Sequence, residues 1–189
     1  MSQQQLLIDI AQALDEASIP YILTGSIVSS LQGEPRATHD IDFVVNLKQL
    51  DLPKLAALFP SPRYHLDQAA ASEAINAKSM FNLLDTETGD KADFWMFTDD
   101  PFDQSRFSRR QKEEFAGVKL TVPTPEDTII IKLKWAKMSG GSEKQFLDAV
   151  RVYEVQYGEL DLDYLETWIS QLGLTKEWSR LKTEAIPLD

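Results

Sequence analysis

The chain has 189 residues, 43% hydrophobic and 26% charged, which is enough apolar side chain to bury a core without cross-links. A formal net charge of -11 and a pI near 4.6 argue against a protein whose main work is coating nucleic acid, because that binding draws on many Lys and Arg contacts to phosphates. There is no cysteine, which excludes disulfides, thiolate metal sites and a Cys nucleophile, and accords with a reducing cytoplasm.

Residues 1–20 mix Gln, Asp and Glu with Leu and Ile, so they form neither a basic leader nor an unbroken apolar run. No later stretch reaches the roughly 18 to 20 apolar residues a spanning helix requires. The expectation is a cytoplasmic protein with no membrane partner. Arg106, Arg109, Arg110 and Lys112 form the one cluster from which a local basic patch could arise, though a solvated helix face is the plainer reading.

Leu6, Leu7, Ile10 and Leu14 recur at helical steps and predict a helix over residues 3–17, ended by Pro20. Residues 21–23 read as a short buried strand, broken by Gly25-Ser26 and followed by a brief helix to about residue 31. Residues 38–47 are the best strand: Ile41, Phe43 and Val45 alternate with Asp40 and Asp42, giving one apolar face and one acidic face. Asp51 and Pro53 open a helix that Pro60 closes, and a further Ala-rich helix spans 67–77.

Residues 80–84 and 92–97, joined by a polar turn at 87–90, read as an antiparallel hairpin with Asp93 on its second strand. A strand or hairpin is expected over 115–122 around Gly117. Thr124-Pro125-Glu126-Asp127 carries a helix-start signal, and Gly140-Gly141 ends that helix. Amphipathic segments at 142–157, 162–172 and 175–185 complete the chain. The fold class is α/β, a small mixed sheet flanked by helices, with a helical C-terminal extension. The one boundary falls near Pro123, separating a mixed α/β core (1–122) from helices packed on it (123–189).

Side chains two apart on a strand project from one face, so the Asp40 and Asp42 carboxylates lie roughly 6 to 7 Å apart at their Cβ atoms. Such a pair repels itself unless a cation lies between. Mg²⁺ commonly takes one or two carboxylates together with substrate phosphates. By themselves two alternating acids also describe a solvent-facing strand, but Asp is a poor strand former, and the apolar residues behind these two make a rigid platform. Gly25-Ser26, fourteen residues before Asp40, offers a turn into a helix N-terminus suited to an anion. Asp93, amid apolar neighbours, is the candidate third carboxylate. The alternative is a solvent-facing acid beside Lys91.

The segment from Tyr21 to Leu47 resembles the nucleotidyltransferase superfamily, with its Gly-Ser turn and Asp-x-Asp strand. The run Arg36-Ala37-Thr38-His39-Asp40-Ile41-Asp42-Phe43 is similar to the minimal nucleotidyltransferases related to abortive-infection toxins. So are Thr124 to Asp127, the Lys132-Leu133 pair and residues 142–148. The departure is Thr24 where the commoner turn has a second glycine. The resemblance implies Asp40, Asp42 and Asp93 as catalytic, metal-binding acids, with Gly25 and Ser26 holding the phosphates of a nucleoside triphosphate such as ATP.

Arg36 and Lys132 are candidates for compensating phosphate charge, and snorkelling to solvent is the other reading of Lys132. The implied activity is transfer of a nucleotidyl group to an acceptor hydroxyl with release of pyrophosphate, assisted by Mg²⁺, two ions being expected. The acceptor is open among tRNA, a protein and a small molecule. A homodimer or a cognate antitoxin is a candidate partner. Two other readings stand beside it: a non-catalytic nucleotide-binding regulatory or toxin-antitoxin module, and a metal-dependent phosphohydrolase. His39 is read as structural, and Trp95, Trp135, Trp168 and Trp178 as core residues, with Trp135 placed to touch a nucleobase.

Overall fold

The three- and four-residue steps of the first segment lay Leu6, Leu7, Ile10 and Leu14 along one buried stripe of α1 (Gln3–Glu16). The computed structural model describes residues 3–38 and 40–187. β1 (Tyr21–Thr24) passes straight into α2 (Gly25–Gln32), and Gly25 makes the junction at φ 73°, a conformation costly for any residue with a Cβ. β2 (Ile41–Val45) is shorter than the strand expected over 38–47. β1 ends at Thr24, whose partner is Asp42, so on that side the ladder has nothing left to pair with Asp40. His39 lies outside the described residues.

α3 (Leu52–Leu58) carries its proline in the first turn as expected, although Asp51 makes no capping bond. β3 (Tyr64–Leu66) is a strand with no counterpart among the expected elements. The Asp67 carboxylate accepts from the N–H groups of Ala69 and Ala70 and so caps α4 (Gln68–Ala77). β4 (Met80–Asp85) and β5 (Lys91–Met96) form the expected hairpin. No start was expected for α5 (Pro101–Ser108), yet it has a cap and an early proline, Asp100 accepting from Phe102 and Asp103 N–H; of the run expected as a solvated helix face only Arg106 lies on it, and Arg106 is buried. β6 (Gln111–Phe115) and β7 (Val118–Val122) make a second hairpin, turned through Ala116 and Gly117, both at positive φ.

The five-stranded sheet has the order β1-β2-β5-β4-β3. β2 and β5 are parallel and the other pairs antiparallel, so the sheet is mixed. One face carries Leu23, Phe43, Phe94 and Phe81 in register, all buried, with the Phe94 ring stacked on Phe43 at 5.7 Å and on Phe81 at 5.0 Å. Burial of each such side chain contributes about 1.5–3 kcal/mol, which anchors this face firmly. The opposite face carries the row Thr24, Asp42, Asp93 and Asn82. Among the described residues no helix is long and apolar enough to cross a membrane.

The chain divides into two compact units, Met1–Thr24 with Thr38–Val122, and Gly25–Ala37 with Pro123–Asp189. Residues 25–37 therefore group with the C-terminal helices, whereas the sequence placed them in the core of residues 1–122. The second unit is built from α2, α6 (Pro125–Met138), α7 (Glu143–Gln156), a 3-10 turn (Tyr157–Glu159), α8 (Leu162–Gln171) and α9 (Thr175–Glu184). Polar bonds tie α2 into it: Gln32 Nε2 donates to the Pro123 carbonyl at 2.8 Å, and Thr128 Oγ1 donates to Gln32 Oε1 at 2.6 Å. Ile129, Ile130, Leu133, Phe146, Ala149, Val152, Trp178 and Leu181 fill its core.

Gly33 ends α2 against α7. A Cβ there would meet Ser29 O, Arg151 C and Val152 N at 2.9 Å, all of them backbone. Gly33→Ala is therefore expected to cost about 1–3 kcal/mol through overpacking. A thermal melt indistinguishable from the wild type would show that α2 and α7 are not so closely held.

Candidate active site

Two carboxylates meet on the polar face of the first unit. Asp42 on β2 and Asp93 on β5 are register partners across parallel strands, so their side chains project together at about the 4.8 Å separation of neighbouring strands. Thr24 stands opposite Asp42, and Gly25 is the next residue in the chain. On the far side Asn82 stands opposite Asp93 and donates to its Oδ1 at 2.5 Å. Lys91, two residues earlier on β5, brings its ammonium to within 3.1 Å of the same carboxylate. Trp95, two residues later, donates its indole N–H to Asp42 Oδ1 at 3.3 Å.

Asp40 is exposed and precedes the paired part of β2. Among the described residues no group of three or more His, Asp and Glu side chains is gathered to hold a metal ion. The three expected acids thus resolve into a close pair, Asp42 and Asp93, with Asp40 ahead of the strand. A pair suits a hard divalent cation all the same, since carboxylate oxygens are its preferred donors and substrate phosphates complete its shell.

The residues expected at the phosphates lie in the second unit. Ser26 is buried in the first turn of α2, and its Oγ accepts from Arg36 Nη2. Arg36 also grips Asp148 with two parallel bonds, Nε to Oδ1 at 2.7 Å and Nη2 to Oδ2 at 2.8 Å. Lys132, only 3% exposed, does not snorkel: its ammonium reaches Asp148 Oδ2 at 2.6 Å. Burial by itself would raise the Asp148 carboxyl. The Arg36 hydrogen bonds and the Lys132 ammonium outweigh it and hold the group below the usual carboxylate range. Asp148 was not singled out in the sequence, because it lies far along the chain from Arg36.

The basic cluster does not gather as a patch. Arg106 is buried and paired with Asp103 at 2.9 Å, Lys112 is paired with Asp15 at 3.4 Å, and Arg110 lies over the Phe107 ring. A cavity of about 480 Å³ opens beside Asp15, Tyr21, Arg110, Lys112 and Thr121. Tyr21 begins β1 whereas Thr24 ends it, so this cavity lies away from the carboxylate pair and is assigned no part in its chemistry. Trp178 is buried as expected, whereas Trp135 is 39% exposed.

The fold that carries this pair is that of the nucleotidyltransferases. Three solved chains match it over most of their length. The antibiotic-resistance factor ANT(2'')-Ia in solution is 15% identical with a TM-score of 0.57, the match covering 97% of each chain. The same factor in complex with adenylyl-2''-tobramycin is 14% identical with a TM-score of 0.54, over 91% of this chain and 97% of that one. An antigenic nucleotidyltransferase-like protein from Paracoccidioides brasiliensis is 16% identical with a TM-score of 0.54, over 98% and 94%. No family model matches the sequence, and no curated protein is significantly similar to it.

Proposed function

We propose that the protein transfers a nucleotidyl group from a nucleoside triphosphate to an acceptor hydroxyl, with pyrophosphate leaving. The observation that carries this reading is the register of Asp42 with Asp93 on parallel strands of a nucleotidyltransferase fold. Asp42 and Asp93 would hold Mg²⁺, with Asp40 contributing from ahead of the strand. When bound, the metal supplies charge for the developing pyrophosphate and for the attacking oxygen. Asp93, braced by Asn82 and Lys91, keeps one fixed orientation.

Gly25 and Ser26 are assigned to the phosphates on the strength of the sequence resemblance. Arg36 shares Ser26 and Asp148, which places its charge at the start of α2. Lys132 enters through Asp148, fixing the carboxylate that fixes Arg36. A small-molecule acceptor is favoured over tRNA, because the net charge of -11 opposes a large polyanion and two residues of the basic cluster, Arg106 and Lys112, are paired with acids. The complex of a like-folded protein with adenylyl-2''-tobramycin supports an acceptor of that kind. The lack of cysteine supports action in the cytoplasm.

A second reading, a nucleotide-binding regulatory or toxin-antitoxin module without turnover, is favoured by one observation: the Asp93 carboxylate is already engaged by Lys91 and Asn82. The test is incubation with each α-labelled triphosphate and Mg²⁺ in a cell lysate that supplies acceptors, beside equilibrium binding of the same triphosphates. Transfer of label supports the enzyme. Binding without transfer supports the regulatory module, and neither binding nor transfer overturns both.

A further inference from the structure

The acidic face is not uniformly polar. Trp95 follows Asp93 by two residues on β5, and it packs on the apolar cluster of Ile22, Val44 and Phe107 together with Phe97. That packing holds the indole in one place, with its N–H 3.3 Å from Asp42 Oδ1. A carboxylate beside another carboxylate at about 4.8 Å tends to rotate away from it. A neutral donor restrains that rotation without taking the negative charge a cation needs.

We infer that Trp95 is a positioning residue: its indole N–H fixes the plane of the Asp42 carboxylate and thereby tunes the affinity of the Asp42–Asp93 pair for a divalent cation. This rests on the reading of Asp42 as a metal ligand. Groups that bond a ligand's other atoms are known to orient ligands, and their loss typically weakens metal binding about 10- to 100-fold. The apolar cluster is the rigid support such an orienting group requires, because a donor free to change rotamer would impose no direction.

Trp95 is the one tryptophan of the first unit, since Trp135, Trp168 and Trp178 all follow Pro123. Its indole N–H resonance is therefore separable in protein labelled with ¹⁵N at tryptophan, and its disappearance in Trp95→Phe assigns it. Asp42→Asn is expected to move this resonance upfield while the other three stay in place. Mg²⁺ is expected to move it in the wild type and not in Asp42→Asn. Binding of Mn²⁺, followed by electron paramagnetic resonance of the free ion, is expected to weaken about 10- to 100-fold in Trp95→Phe.

Gly33→Ala destabilises the second unit and leaves the cluster and the indole N–H in place, so it is expected to bind Mn²⁺ as the wild type does. An indole resonance indifferent to Asp42→Asn overturns the hydrogen bond. Wild-type Mn²⁺ affinity in Trp95→Phe, or an equal weakening in Gly33→Ala, overturns the positioning role. A resonance that responds to Asp42→Asn in a protein that binds neither Mg²⁺ nor Mn²⁺ instead overturns the metal site, and the inference falls with it.

Discussion

Asp42→Asn is expected to lower nucleotidyl transfer by about 10³-fold while leaving the melting temperature unchanged or slightly raised. On the proposed reading the two effects part because the pair is kept for the metal at the expense of folding. Asp42 and Asp93 are register partners, and like charges this close repel by about 1 kcal/mol even in water. Lys91 offsets part of that on the Asp93 side. Asparagine keeps the shape of Asp42 and an acceptor for Trp95, and it removes the charge. Without the metal the variant therefore gains slightly in stability. In the presence of Mg²⁺ the wild type is expected to melt higher than without it, and the variant is not, since only a chain that binds the ion is stabilised by it.

Asp93→Asn is expected to behave in the same direction, with Lys91 left facing a neutral partner. Rates under saturating triphosphate and Mg²⁺, measured beside thermal melts with and without the ion, check both halves. If Asp42→Asn kept its rate, or if it lost rate only in proportion to lost folded protein, the carboxylate pair would not be the reacting centre.

Asp148→Ala is expected to have the largest effect on stability, a loss of about 3–5 kcal/mol, because it takes the carboxylate from a buried ammonium and a half-buried guanidinium. Lys132 is 3% exposed and Asp148 6%, so the ammonium cannot turn to water without unpacking α6 from α7. Arg36 is partly exposed and recovers some solvation, which is why the lower end of that range is the better guide. For a chain of this length the loss corresponds to a fall of about 10 °C in melting temperature. Lys132→Met should cost less, since Arg36 still serves the carboxylate.

The same cluster sets an acid limit. The folded Asp148 carboxyl titrates below its unfolded value, so its contribution is complete above about pH 4 and is lost as pH falls through the lower, folded value. Melts of wild type and Asp148→Ala taken from pH 6 downward should converge, because the wild type alone forfeits this contribution. A constant gap between them down to pH 2 would assign the stabilisation to packing.

Much of the fold was legible because local signals carry it. The period of two in Ile41, Phe43 and Val45 marked a strand with one buried face, and the apolar spacing of α1, α7, α8 and α9 marked their core stripes. β3 was not legible: three residues are too few to show a period, and pairing with β4 makes it a strand. α5 was missed although Asp100-Pro101 carries a start signal of the same kind as Thr124-Pro125. Its own apolar pattern, Phe102 and Phe107, is too sparse to announce a helix. Ser142 opens the segment expected over 142–157 and stands just before α7, but its side chain makes no capping bond.

The sequence by itself determined the acids and their spacing, the glycine at the β1–α2 junction and the apolar backing of β2, because each is a property of neighbours along the chain. Only the tertiary structure decided which acids stand together. A parallel pairing of β2 with β5 sets Asp93 beside Asp42, and the end of β1 at Thr24 leaves Asp40 ahead of the ladder. Tertiary packing likewise turned Lys132 and Arg36 onto Asp148. A buried cation takes whatever carboxylate the fold brings to it, and no spacing along the chain says which one that will be.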